Sequence, residues 1–397
     1  MATGGRTAGM RRRVMALAAG VWVWAGGLLA GWTPPVRAAE AAPAVTAPSA
    51  ILVDATTGEV LYARNPDQER PMASVTKLMT LYLAVRAVEQ GKVKLSEWVP
   101  ADEEAYRVGG SQVWLEPGEF LSYDQMLKAV AVGSANDAAY ALAKFLSGSV
   151  EAFVARMNQE AARLGMRHTH FANPHGLPQA EHYTTARDLA ILARAAVRSP
   201  LLLHYTAMRE DRSIRNGKGG HLWLVNHNRL LRVYPGADGL KTGYTTEAGY
   251  CLAATARRGD TRLIAVLLGD PTPKARVEDA VRLLNWGYGH FRTLLVAPAG
   301  RVLGEVPVRH GRAGRVAAVA ARPLALTVPL TAGGRPAPVV RLAERVTAPV
   351  QAGQILGEVR VTLDGRTATV PLVAARAVAS TSPARLTWDY FWRIIGG

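Results

Sequence analysis

Residues 239–269 read GLKTGYTTEAGYCLAATARRGDTRLIAVLLG, and this stretch decides the fold. It divides into three runs, GLKTGYT, AGYCLAATARRG and TRLIAVLLG, each dominated by apolar and β-branched residues and closed by Gly or polar residues. Arg258-Gly259-Asp260 leaves room only for a tight turn between the last two, so they form an antiparallel hairpin. Towards the N-terminus, residues 49–67, SAILVDATTGEVLYARNPD, supply two more short strands around Thr56-Thr57-Gly58.

Helical signals fill the space between. In SVTKLMTLYLAVRAVEQG (74–91) the apolar residues Leu78, Leu81, Ala84 and Val88 fall close to helical period, and Gly91 ends the run. Further helices are expected over 123–132, halting at Gly133, from Asn136 to about 145, over about 149–163, from a Thr185 cap to Ala195, and over 272–287. Residues 166–185, rich in His, Pro, Asn and Gly, read as a long surface loop. Two opening strands, a helical middle, then strands and a closing helix give an α/β domain with an antiparallel sheet and helices around it.

That domain covers 45–289. Residues 290–380 hold short Val-rich runs separated by Gly and Pro and no helix of useful length, which marks a small β-rich domain. Residues 384–397 place Trp388, Phe391, Trp392 and Ile395 on one helical face and Arg385, Asp389 and Arg393 on the other. Such a segment suits a membrane interface and is too short to span a bilayer. At the other end Arg11, Arg12 and Arg13 precede an apolar run and a small-residue exit near Ala38 or Ala39. Residues 1–39 are therefore expected to be a secretory signal, cleaved there or retained as an anchor, and the protein is expected outside the cytoplasm.

The chain carries 47 Lys and Arg against 31 acids, a formal charge of +16. No long basic tract or base-reading motif accompanies it, so anionic lipid and wall polymers are better partners than nucleic acid. The single cysteine, Cys251, excludes an intrachain disulfide and reads as a buried, inert thiol. Trp223, Trp286 and Tyr250 read as packing residues.

Three short motifs carry chemistry. Ser74 and Lys77 lie three apart at a helix start, which places a hydroxyl and an amine on one face. A serine needs a base to become a nucleophile, and a lysine amine serves once burial and a neighbouring cation have lowered its pKa. Ser134-Ala135-Asn136 follows Gly133 at a break between helices, where short polar side chains line a cleft or cap the next helix. Lys241-Thr242-Gly243 lies on a strand: a point charge for a substrate carboxylate, a hydroxyl, and a glycine that permits close approach. In chain order these are Ser-x-x-Lys, Ser-x-Asn and Lys-Thr-Gly, the set of penicillin-binding proteins and class A β-lactamases.

The sequence resembles the serine D-alanyl-D-alanine carboxypeptidases, the low-molecular-weight penicillin-binding proteins of peptidase family S11. The likeness covers most of 45–290 and extends to VDATTGEVLYARN, PMASVTKLMT, FANPHGLP, HYTTARDLA, VNHNRLL and YPGADGLKTGYTTEAGYCLAATARR. It implies a transpeptidase-like catalytic domain, a β-rich domain, and a terminal helix at the outer face of the plasma membrane. By position it implies Ser74 as nucleophile, Lys77 as general base and Ser134 as proton relay. Asn136, Lys241, Thr242 and Gly243 would bind substrate, and the backbone N–H groups of Ser74 and Tyr244 would form the oxyanion hole. The implied substrate is a peptidoglycan stem peptide ending in D-Ala-D-Ala, with β-lactams as covalent inhibitors and no cofactor or metal.

Four rival readings remain at this level. A β-lactamase would need a deacylating glutamate; FANPHGLPQAEHYT offers Glu181 without the Glu-x-x-Leu-Asn pattern. A transpeptidase differs only in using an amine acceptor. A metallopeptidase could use His168, His170, His175 and His182, yet no His-Glu-x-x-His is present. A non-catalytic wall-binding protein would leave Ser74, Lys77 and Lys241 unexplained.

Overall fold

The computed structural model describes residues 42–215 and 220–381. The expected leader at 1–39 and the amphipathic segment at 384–397 lie outside the described residues.

Five strands form the central sheet in the order Val60–Arg64, Ser49–Asp54, Thr261–Asp270, Gly249–Arg258, Ala237–Thr245, and every neighbouring pair is antiparallel. The three runs of 239–269 are three adjacent strands, the last two joined at Gly259 with φ +57°. Its inner strands are mainly apolar through their middles because both faces are covered, and successive side chains take opposite faces. Ala50, Leu52, Leu263 and Leu267 meet Leu283 and Leu284 of the Pro273–His290 helix. Ile51, Val53, Val266 and Leu268 meet the other layer, which includes Leu78 and Leu81 of the Lys77–Glu89 helix and Leu189 and Leu192 of the Ala186–Ala196 helix. Each such leucine or isoleucine contributes about 1.5–3 kcal/mol by leaving water.

Helices Tyr123–Ala131, Asn136–Ser147 and Val150–Leu164 build a lobe beside the sheet. Their starts follow local chemistry: Ser122 and Gln125 close a capping box, Ser149 caps the next-but-one helix, and Thr185 accepts from Asp188 N as expected. Several elements escape the sequence reading, among them the short helices Glu103–Tyr106 and Leu230–Val233 and the ribbon Glu210–Asp211 with Leu224–Val225. Pro200–Ala207 is a helix with Pro at its first turn, and Trp98–Pro100 pairs with Phe120–Ser122 as a small ribbon.

Residues 166–185 correct the surface-loop expectation. Phe171, Asn173, His182 and Thr184 are buried there, because side chains supply the hydrogen bonds that water would otherwise make. Asn158 exchanges both amide bonds with Phe171, and Asn173 Oδ1 accepts from Gly176 N at 2.6 Å.

After His290 the chain passes directly into the strand Phe291–Ala297. That strand pairs with Leu324–Pro329, and six more strands form the second sheet of the β-rich domain. Its own core gathers Val306, Val316, Leu326, Val359, Val370 and Leu372. The junction with the first domain is polar and specific. Buried Asp54 accepts from Thr293 Oγ1 at 2.6 Å and Thr327 Oγ1 at 2.8 Å through Oδ2, and from Thr56 N and Thr57 N through Oδ1. Arg366 pairs with Glu59 across the same junction.

Candidate active site

Ser74 sits in a short 3-10 turn, Ala73–Thr76, that leads into the Lys77–Glu89 helix. The turn tightens the spacing so that Lys77 Nζ reaches Ser74 Oγ at 2.9 Å. Lys77 is fully buried, and its amine also donates to the carbonyl of His175 at 2.6 Å. Burial holds its pKa well below the usual lysine value, and the nearby Lys241 charge lowers it further, while Asp137 opposes both. A neutral amine placed this way can donate to His175 O and offer its lone pair to the Ser74 hydroxyl.

Ser134 occupies the left-handed region at φ +58° between two helices. Its hydroxyl does not cap the following helix, whose N-cap is Ala135 with no side-chain bond. It accepts instead from Lys241 Nζ at 2.9 Å. Lys241 bonds the carbonyl of Thr242 as well, and burial together with Arg276 pushes its pKa down to about 7. Asn136 donates from Nδ2 to Gly109 O at 2.7 Å, whereas its Oδ1 is buried with no hydrogen-bond partner. A buried, unpaired acceptor of this kind awaits a donor.

The Lys-Thr-Gly strand presses against the Ser74 turn. A Cβ on Gly243 would stand 2.8 Å from Met72 O and 2.9 Å from Ser74 N, so only glycine allows the strand and turn to meet. On the other side the Asn173–Leu177 loop closes over the turn. A Cβ on Gly176, at φ +91°, would fall 2.0 Å from Ala73 O, and Thr80 Oγ1 donates to Pro174 O.

A cleft of about 380 Å³ opens above these groups, with Ser74, Ser134, Thr242, Gly243, Tyr244 and Arg276 on its walls. Lys77 and Lys241 lie beneath it. Of the expected groups, Ser74, Ser134, Thr242, Gly243 and Tyr244 line this one cavity while Lys77, Asn136 and Lys241 do not, and the lining adds Arg276, which the sequence reading missed. It sits in the Pro273–His290 helix, is buried, and donates to Gly243 O and Cys251 O at 3.3 Å. Within PKARVEDAVRLL it looks like one more surface charge of a helix; only the β-strand packing against it turns it inward.

Other sequence readings resolve here. His182 Nδ1 accepts from Ala172 N, so its Nε2 carries the proton and donates to Thr76 Oγ1, which donates to Ala73 O. Burial lowers the pKa of His182 to about 4, and burial with Lys77 lowers that of His175 to about 3. His168 turns to Glu69 and His170 to Glu181 O, and among the described residues no three His, Cys, Asp or Glu converge on one point. Glu181 is exposed and away from the cleft. Burial raises the Cys251 thiol to about 11. Trp286 packs against Tyr62 and Phe291, and Tyr250 stacks on Tyr244. Trp223 does not pack inside: it is exposed, with Arg212 over its ring.

Comparison with known proteins agrees with this geometry. The family profile described as D-alanyl-D-alanine carboxypeptidase, peptidase S11, matches residues 36–272, and that of the penicillin-binding protein 5 C-terminal domain matches 291–380. The chain is 38% identical over 334 residues to D-alanyl-D-alanine carboxypeptidase DacF of Bacillus subtilis, covering 83% of this chain and 85% of that protein. It is 34% identical over 340 residues to DacA of Escherichia coli K12, covering 82% and 81%. Among solved structures, penicillin-binding protein 5 from Haemophilus influenzae superposes with a TM-score of 0.71 at 32% identity, covering 86% of this chain and 99% of that one.

Proposed function

This chain belongs to the D-alanyl-D-alanine carboxypeptidase family, and we propose that Ser74 and Lys77 perform that family's chemistry here. The protein is a serine-type D-Ala-D-Ala carboxypeptidase that trims the terminal D-alanine from peptidoglycan pentapeptides outside the cytoplasm. The observation that carries the assignment of residues is the fully buried Lys77 amine 2.9 Å from Ser74 Oγ.

Ser74 Oγ attacks the carbonyl between the two D-alanines as its proton passes to neutral Lys77. The oxyanion rests on the N–H groups of Ser74 and Tyr244, which the Gly243 contact brings together. Collapse expels D-alanine, whose amine takes, through the Ser134 hydroxyl bonded to Lys241, the proton that Lys77 received, which leaves Lys77 neutral again. Water then attacks the acyl-Ser74 ester with Lys77 as base, releasing the shortened peptide and restoring the hydroxyl. Asn136 Oδ1 accepts from a substrate amide. Thr242 and Arg276, both on the cleft wall, hold the terminal carboxylate. Lys241 supports the same end from beneath through its charge. A β-lactam offers a strained amide in the same place and acylates Ser74. Residues 384–397 attach the enzyme to the outer face of the plasma membrane, on the strength of their amphipathic sequence.

The test is intact-mass measurement after benzylpenicillin, with D-alanine release from a diacyl-D-Ala-D-Ala peptide. One adduct, mapped to Ser74 and lost in Ser74→Ala together with release, is expected. An adduct elsewhere, or release that survives Ser74→Ala, refutes the assignment.

A further inference from the structure

We propose that an outward-facing aromatic surface on residues 98–120 binds the glycan strand that carries the stem peptide, with Trp114 stacking on a sugar ring. The proposal rests on the carboxypeptidase reading and adds a second point of substrate recognition.

Trp114 is 63% exposed and adopts φ +60°. Bulky side chains avoid that conformation unless the surroundings impose it, and such positions gather at functional sites. The imposing group is visible. Asp137, fully buried, accepts from Val113 N at 3.2 and 3.1 Å and from Leu115 N at 3.1 Å. Val113 and Leu115 bury their side chains on either side, so the indole between them is forced outward and held there.

The clamp belongs to the catalytic cleft. Asp137 follows Asn136, whose N–H donates to Ser111 O at 2.7 Å and whose amide donates to Gly109 O. Ser111 itself lies on the cleft wall. The indole is therefore three residues from the substrate site on a segment fixed to it.

More apolar rings share this stretch. Trp98 is 63% and Phe120 54% exposed, on the outer face of the small ribbon whose inner face buries Val99 and Leu121. Among the described residues none of the Trp98, Trp114 and Phe120 rings stacks on another ring or lies under a cation. Unpartnered exposed aromatics on one segment mark an interaction surface.

Charge identifies the occupant. Residues 98–120 contain Asp102, Glu103, Glu104, Glu116 and Glu119; Arg107 pairs with Glu103 and Lys144 with Asp102 and Glu104, so five acids meet two cations, in a protein of +16. An acidic surface repels anionic lipid and polyanionic wall polymers. A sugar ring presents an apolar C–H face to an indole and hydroxyl donors to carboxylates around it. A repeating chain of such rings meets several platforms spaced along a surface, whereas a single peptide side chain needs only one pocket.

The experiment compares KM for D-alanine release from a free pentapeptide and from the same peptide on a tetrasaccharide of the wall's amino sugars. Enzyme concentrations are fixed by benzylpenicillin titration. Stacking of one ring predicts a KM about three- to tenfold lower for the glycan-linked substrate in the wild type. That ratio collapses towards one in Trp114→Ala. Trp98→Ser, on the outer face of the ribbon, lowers it independently and guards against a misfolded Trp114 variant. Equal KM values in the wild type overturn the inference while leaving the carboxypeptidase reading intact. So does a ratio that both variants preserve. No release from the free pentapeptide sinks both.

Discussion

Substituting Lys241 by alanine separates two effects that the geometry ties to one amine. Its Nζ lies 2.9 Å from Ser134 Oγ and 3.0 Å from Thr242 O. A charge-assisted hydrogen bond contributes about 1.5–3 kcal/mol, so losing the one to Ser134 lowers the acylation rate constant roughly ten- to a hundredfold. The second effect concerns pH. As the proposed base, Lys77 works only when unprotonated, so acylation is expected to rise with pH through its pKa. Burial and the Lys241 charge both hold that pKa down. Removing the charge raises it and moves the acid limb of the profile to higher pH. The displacement is largest below about pH 7, where Lys241 itself is protonated. The assay is the second-order rate of benzylpenicillin adduct formation, followed by intact mass across pH, with thermal unfolding as the check on folding. A folded Lys241→Ala enzyme that acylates at the wild-type rate, or whose acid limb moves to lower pH, would refute the coupling.

Gly243→Ala forces a Cβ against Met72 O and Ser74 N, both backbone atoms. Benzylpenicillin acylation should fall more than about tenfold, since a donor lost from an oxyanion hole alone costs that much, while circular dichroism shows the fold retained. Asp54→Asn removes the charged acceptor that joins Thr293 and Thr327 to the first domain. Urea unfolding should show a loss of about 3 kcal/mol, and an unchanged midpoint would mean the domain junction is held by other contacts.

The fold was legible where local pattern and burial agree. Strands 237–270 announce themselves because both sheet faces are covered and each run is buried through its middle, most continuously apolar in Thr261–Asp270. The helix after Thr185 was legible from its cap. Residues 166–185 were misread because Asn158, Asn173 and His182 bury a polar segment by satisfying its backbone, and composition carries no sign of that pairing. Ser74, Lys77, Ser134 and Lys241 were legible as spaced motifs, and the distances now join them in two pairs. Arg276 was hidden, since nothing in its own neighbourhood distinguishes a buried arginine from an exposed one. Trp114 was hidden for a related reason: its exposure depends on Asp137, twenty-three residues away.

The Ala237–Thr245 strand, with Lys241 and Thr242 near its middle, is the outermost member of its sheet. Side chains of Thr206, Asn228 and Arg276 occupy carbonyls at Asp238, Gly239 and Gly243, and a chain that adds to such a border must lie straight beside it. If the proposed substrate docks along this strand, its last residues must be extended, and the shape of the backbone would count in selection as well as the identity of its final two residues.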